Sequence, residues 1–148
     1  MKLNEVLAAG RVVRYHAAPV DRKQTVAEHT WGVLAILYEI TDPSPALIEA
    51  AIFHDIAEVY TGDVPAPVKK ASKQVKQIFD DLEEDALAEM EVSLPKLTRD
   101  EQRYLKIADC LEGLHYCNSR IQAGDLGAVP VRDRYIVYLH KMGWKHEC

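Results

Sequence analysis

Thr25 with Glu28, and again Thr98 with Glu101, set a hydroxyl residue three positions ahead of a glutamate at the head of an apolar-periodic segment. That spacing is a capping box, in which the hydroxyl accepts a first-turn backbone N–H and the carboxylate returns to the N–H of the cap. Two helices are therefore predicted. One carries Val26, His29, Val33, Ile36, Leu37 and Ile40, and the other runs through Tyr104, Leu105, Ala108, Leu111 and Leu114. Ser44 and Pro45 open a further helix, with Leu47, Ile48, Ala51, Ile52 and Asp55 continuing toward its end. No convincing period-two alternation between hairpin turns accompanies them, so the chain reads as all-α.

The remaining elements follow the same logic. A short amphipathic helix over 2–10 ends near Gly10, and RVVRYHAAPVDRKQ after it is a loop broken by Pro19. In TGDVPAPVKK, Gly62, Pro65 and Pro67 rule out a continuing helix and leave a constrained loop. A charged amphipathic helix over 73–91 offers Val75, Ile78, Phe79, Leu82, Ala86 and Met90 as its buried stripe, with DDLEEDALAEME as a solvated face. Gly124 and Gly127 end the long helix. VRDRYIVYLHKM then forms the last one, and its Ile136, Val137 and Leu139 suit packing against the body or another subunit. About six helices in one domain spanning 1–148 are expected, with no repeat, low-complexity tract or linker.

Four polar residues interrupt this apolar pattern. His54 and Asp55 sit side by side in AAIFHDIAEVYTGD, His29 lies in TVAEHTWGV and Asp109 in YLKIADCLEGL. Buried charge without a partner is rare, and a metal ion is the partner that suits two imidazoles and two carboxylates together. A structural zinc site would favour thiolates, whereas this set fits one divalent transition metal with open positions. Adjacent helical residues point about 100° apart, so His54 and Asp55 share an ion only at the edge of a helix, in a cleft. His115 is about 240° around the helix from Asp109 and is poorly placed for the same ion. His16, His140 and His146 read as surface or loop histidines.

Composition limits what such a site can serve. With 148 residues, 48% of them hydrophobic and 28% charged, the chain suits one ordinary globular domain. No apolar run approaches the roughly 20 residues of a membrane helix. The start shows no signal-peptide pattern, so a cytoplasmic location is expected. Cys110, Cys117 and Cys148 form no CxxC pair, and no disulfide is expected. The net charge of −5 argues against a long nucleic acid, while a small phosphorylated ligand remains compatible. There is no glycine-rich phosphate cradle and no nucleophile elbow.

On His29, the pair His54 and Asp55, and Asp109, in that order, the chain resembles the HD superfamily of metal-dependent phosphohydrolases over about residues 10–115. RY at 14–15, VAEH at 26–29, HDIAEVYTGDVPAPVK at 54–69 and KIAD at 106–109 narrow the resemblance to bacterial and phage 5′-deoxynucleotidases. The resemblance implies that His29, His54, Asp55 and Asp109 hold the metal and that Glu58 and Asp63 are the acidic catalytic residues. It also implies that Arg14 faces phosphate. A tryptophan that packs on the sugar in the family is replaced here by Tyr15.

The residues themselves support parallel roles. Glu58, one turn beyond His54, is a natural general base or acid, or else an exposed helix residue. Asp63 after Gly62 is equally a turn-stabilising carboxylate. Arg14, then Lys69, then Lys106 rank as phosphate contacts, Arg by its planar fork and Lys as a point charge. Tyr15 would flank the deoxyribose, and small Ala17 and Ala18 suggest a loose base pocket. The expected activity is 5′-dephosphorylation of deoxynucleoside monophosphates with Mn, Co, Fe or Zn as the metal. A triphosphohydrolase aided by Lys69, Lys70 and Lys73 is the close alternative, and a nonhydrolytic nucleotide sensor a more distant one. Family resemblance further implies a homo-oligomer.

Overall fold

The structure, a computed structural model, describes residues 1–69 and 71–144, so Lys70, His146 and Cys148 lie outside the described residues. Its helices are α1 (Leu3–Ala9), α2 (Val26–Ile40), α3 (Pro45–Phe53), α4 (Glu58–Thr61), α5 (Ala66–Lys69), α6 (Lys73–Glu89), α7 (Arg99–Gln122) and α8 (Val129–Lys141). A 3-10 turn, Leu126–Ala128, precedes α8. The fold is all-α, as the periodicity predicts. Six of these helices run seven residues or longer, and α4 and α5 are single turns. No helix among the described residues is long and apolar enough to cross a membrane.

Both capping boxes form. Thr25 Oγ1 accepts the Glu28 N–H at 3.2 Å while Glu28 Oε2 accepts the Thr25 N–H at 2.7 Å. The equivalent distances at Thr98 and Glu101 are 3.2 and 2.8 Å. Ser44 Oγ caps α3 by accepting the Leu47 N–H and donates its own proton to Glu101 Oε1 at 2.5 Å. The starts of α3 and α7 are thereby tied together.

Packing fixes the rest. Val33, Leu37, Leu47, Ala51 and Ala108 form the buried seam of α2, α3 and α7. Ile107, Cys110, Leu111, Leu114 and Leu139 join α7 to α8. Ala9, Ala86 and Met90, with Ile56 and Ala57 from the turn before α4, close α1 and α6 over that turn. Fully burying one Leu or Ile side chain contributes about 1.5–3 kcal/mol, against about 0.5–2 kcal/mol for one cap, so the seams dominate and the caps set where helices begin. Gly113 lets α8 approach closely: a Cβ there would lie 2.3 Å from Tyr135 Cζ. The Tyr135 ring therefore rests directly on the α7 backbone.

Four sequence expectations change. His54 and Asp55 do not lie in the later turns of α3, which ends at Phe53 with His54 as its C-cap. From Ile56 to Tyr60 the backbone instead makes three-residue bonds, including Glu58 N–H to Asp55 O at 3.1 Å and Tyr60 N–H to Ala57 O at 3.0 Å. This tightened turn frees both side chains from a fixed helical face. The loop after Gly62 contains α5, whose Pro67 sits within the first turn, where a missing N–H costs nothing. For the same reason α8 begins at Val129, ahead of Pro130, and not at Val131. On α6 the expected stripe is buried only at Ala86 and Met90, while Ile78 and Leu82 are exposed. The core that covers that face is built from α1 and the turn before α4, and it reaches only the C-terminal half of α6.

Candidate active site

His29 enters the site from α2 and is completely buried. Its Nε2 lies 3.3 Å from His54 Nε2, 3.5 Å from Asp55 Oδ2 and 3.3 Å from Asp109 Oδ1. His54 Nε2 is in turn 3.3 Å from Asp55 Oδ2. Ligand atoms of His29, His54 and Asp55 all fall within 4.8 Å of one another, a grouping able to hold a metal ion. Metal–ligand bonds of about 2.0–2.2 Å put neighbouring donors roughly 3 Å apart, so the observed spacings fit one cation among them. Asp109 meets this group at His29, and its second oxygen is 2.5 Å from Lys106 Nζ.

Both imidazoles are oriented from behind. His54 Nδ1 faces the Ala51 carbonyl at 2.8 Å. His29 Nδ1 faces Glu112 Oε2 at 2.5 Å, and Gln24 Nε2 donates to Glu112 Oε1 at 2.6 Å. Neither Glu112 nor Gln24 was expected from the sequence. The available signals were the three-residue step from Asp109 to Glu112 and a glycine inside α2, Gly32, where a Cβ would lie 2.5 Å from Glu112 Cγ.

A cleft of about 430 Å³ opens over the carboxylates. Asp55 and Asp109 lie on its wall with Arg14, Tyr15, Glu58, Asp63, Lys69 and Lys106, whereas Lys73, expected to aid a triphosphate, is not among the lining residues. Ala17, Ala18 and Pro19 line it as well. Its far wall comes from α8, with Arg134, Tyr135, Tyr138 and Lys141, and from Met142 just past its end. Periodicity alone could not identify that wall, because it depends on how α8 docks.

Each charged group has a definite setting. Arg14 is buried and donates from Nη1 to Asp55 Oδ2 at 3.3 Å, while its Nε has no partner among the described residues. Burial opposes its charge, yet Asp55 and its neighbours hold it protonated above the usual arginine range. Burial pushes the Glu58 carboxyl up to about 8, with Asp55 and Asp63 adding to the rise. Among the described residues Glu58 Oε2 likewise lacks a partner. For His29, burial and Arg14 lower the pKa, but hydrogen bonds to Asp109 and Glu112 outweigh them and bring it to about 9. Burial opposes the Asp109 charge too, and Lys106 with His29 still holds it well below the ordinary carboxylate range. Lys69 is paired with Glu83 at 2.6 Å.

Tyr15 adopts φ 60°, the left-handed region. Three contacts hold it there. Its N–H donates to Asp63 Oδ2 at 2.7 Å, its hydroxyl meets Tyr135 Oη at 2.9 Å, and its ring stacks on Tyr116 at 5.2 Å and 4°. His16 and His140 are exposed, as expected, and Cys110 and Cys117 are buried in α7.

A helical body carrying an H…HD…D set beneath an acidic and basic cleft defines the HD phosphohydrolase class. The dA- and zinc-bound HD phosphohydrolase DatZ of cyanophage S-2L shares the fold at a TM-score of 0.74 and 23% identity, covering 96% of this chain and 82% of its own. An HD-domain phosphohydrolase of Listeria innocua gives 0.74 and 21%, over 94% and 78%. The chain belongs to the YfbR-like 5′-deoxynucleotidase family, whose sequence model matches residues 10–127. It is 30% identical over 140 residues to the dATP triphosphohydrolase of Acinetobacter phage SH-Ab 15497, covering 80% of this chain and 67% of that protein. It is 38% identical over 85 residues to a 5′-deoxynucleotidase of Pasteurella multocida, covering 50% and 43%.

Proposed function

We propose that this chain is a metal-dependent hydrolase of 2′-deoxynucleotides, and that its principal reaction removes the 5′-phosphate from deoxynucleoside monophosphates. The convergence of His29, His54 and Asp55 within 4.8 Å, beside a cleft lined by Arg14, Glu58, Lys69 and Lys106, carries this reading. His29, His54, Asp55 and Asp109 would hold the cation, for which zinc, manganese, cobalt and iron all accept mixed nitrogen and oxygen donors. A divalent cation bound there supplies charge neutralisation at phosphate and lowers the pKa of water from about 15.7 toward 7.

The protein groups divide the remaining work. Arg14 offers its unpartnered Nε and its guanidinium fork to phosphate oxygens, with Asp55 fixing its orientation. Lys106 and Lys69 add positive charge along the same wall. Glu58, buried on the cleft wall with its carboxyl pushed up by burial, would pass a proton to the departing 5′-oxygen. Water supplies the oxygen that ends on phosphate and its released proton restores Glu58, the P–O5′ bond breaks, and the nucleoside leaves with a 5′-hydroxyl. Asp63 holds Tyr15, whose ring would flank the deoxyribose.

A second reading is deoxynucleoside triphosphate hydrolysis with release of triphosphate. The resemblance to a phage dATP triphosphohydrolase and the additional cations Arg134 and Lys141 on the cleft wall favour it. Metal-loaded protein incubated with dAMP and with dATP decides between them: orthophosphate from dAMP supports the first, triphosphate from dATP the second. Binding without any phosphorus product would overturn both and leave a sensor. The proposal includes a cytoplasmic homo-oligomer, to be tested by solution mass measurement and fractionation.

A further inference from the structure

We infer that Glu112 is the positioning residue that makes His29 a competent cation ligand, with Gln24 and Gly32 keeping Glu112 in place. The inference rests on the metal-dependent reading above. An imidazole binds a cation through one nitrogen only if the other carries the proton, and an acceptor behind the ring selects that tautomer. His54 obtains this acceptor from the backbone, at the Ala51 carbonyl. His29 has a side-chain acceptor, Glu112 Oε2 at 2.5 Å, and its own Nε2 turns to His54, Asp55 and Asp109.

The support for Glu112 is built from two helices and a loop. Glu112 is buried, and its other oxygen is held by Gln24 Nε2 at 2.6 Å. Gln24 is itself buried, and its backbone carbonyl accepts the Arg14 N–H at 2.7 Å. One residue therefore anchors both the phosphate-side arginine and the carboxylate behind the metal-side histidine. Gly32, one turn beyond His29, leaves the space that the Glu112 side chain fills, since a Cβ would come within 2.5 Å of Cγ. A glycine in a helix interior costs about 1 kcal/mol relative to alanine, so close approach gains something that propensity loses.

The test uses Co²⁺ alone as probe, titrated into metal-free protein against a chromophoric chelator. Glu112→Ala should weaken cobalt binding by about 10- to 100-fold, the usual effect of removing such an outer partner. Glu112→Gln should weaken it less. Its amide oxygen still accepts from Nδ1, and Gln24 can turn its unpartnered Oε1 toward the new NH₂. The visible bands of bound cobalt should shift in Glu112→Ala. In ¹⁵N spectra of metal-free protein recorded above pH 9, where the ring is neutral, His29 should lose its fixed Nδ1–H form in Glu112→Ala, which a purely structural role would not cause. Should Glu112→Ala fail to fold, Glu112→Met, which fills the same space without an oxygen acceptor, carries the same readouts. Wild-type affinity and an unchanged cobalt spectrum in the folded variants would overturn the role of Glu112 alone. Failure of the wild-type chain to bind cobalt would overturn the metal reading, and this inference with it.

Discussion

Asp63 accepts the backbone N–H of Tyr15 at 2.7 Å and so holds a non-glycine residue at φ 60° beside the cleft. A left-handed non-glycine residue costs about 1–3 kcal/mol unless its surroundings impose it. Asp63→Ala should release that turn and raise KM about tenfold, with Asp63→Asn recovering most of the loss because an amide oxygen still accepts. Steady-state kinetics of the two variants check this. If Asn proves as damaging as Ala, the carboxylate charge, and not the hydrogen bond, is what matters.

Glu58→Gln keeps the shape of a buried side chain and removes its exchangeable proton. A drop in kcat of about 10²–10⁴-fold is expected, with cobalt or manganese affinity little changed. Rate measurements alongside metal titration separate the two effects. A variant with near wild-type kcat would remove Glu58 from the proton-transfer step.

Metal uptake should tighten with rising pH. The metal-free His29 pKa is raised from 6.5 to about 9, and the proton on its metal-facing side competes with the cation. Apparent affinity should therefore climb about tenfold per unit through pH 7–8 and level off near pH 9. The same sign applies to folding. A group whose folded pKa is raised stabilises fully below its unfolded value and loses that contribution as pH passes its folded value. For His29 the window is pH 6.5 to about 9, and for Glu58, raised from 4.5, it is pH 4.5 to about 8. Denaturant midpoints of chelator-treated protein should fall across these windows, and added metal should offset the fall. A midpoint that rises between pH 6.5 and 9 in chelator would contradict the assignment.

Gly32→Ala places a methyl group against Glu112 Cγ. Helix propensity favours alanine by up to about 1 kcal/mol, while overpacking costs about 1–3 kcal/mol, so a net loss of stability and weaker metal binding are expected. Thermal unfolding and chelator competition measure both. A more stable variant with intact metal affinity would mean that α2 and α7 can separate freely.

Local rules made the scaffold of the site legible. The capping boxes at Thr25 and Thr98 fixed the phase of α2 and α7, and the order His29, His54, Asp55, Asp109 pointed to a cation. What surrounds those ligands was harder to read. Glu112 resembles an ordinary helical glutamate until α2 packs beside it, and Gln24 resembles an ordinary loop residue until its amide meets Glu112. The α8 wall depends on Tyr135 lying over Gly113, a contact between distant segments. Ile78 and Leu82 show the opposite limit: periodicity marks an apolar face without saying whether anything covers it.

Tyr135, Tyr138, Lys141 and Met142 confront the acidic centre from the final helix, some twenty-five residues or more beyond Asp109 in the sequence. The two sides of the cleft thus come from widely separated stretches of polypeptide. A substitution in the last helix would reshape that wall without replacing any of the residues that could hold a cation.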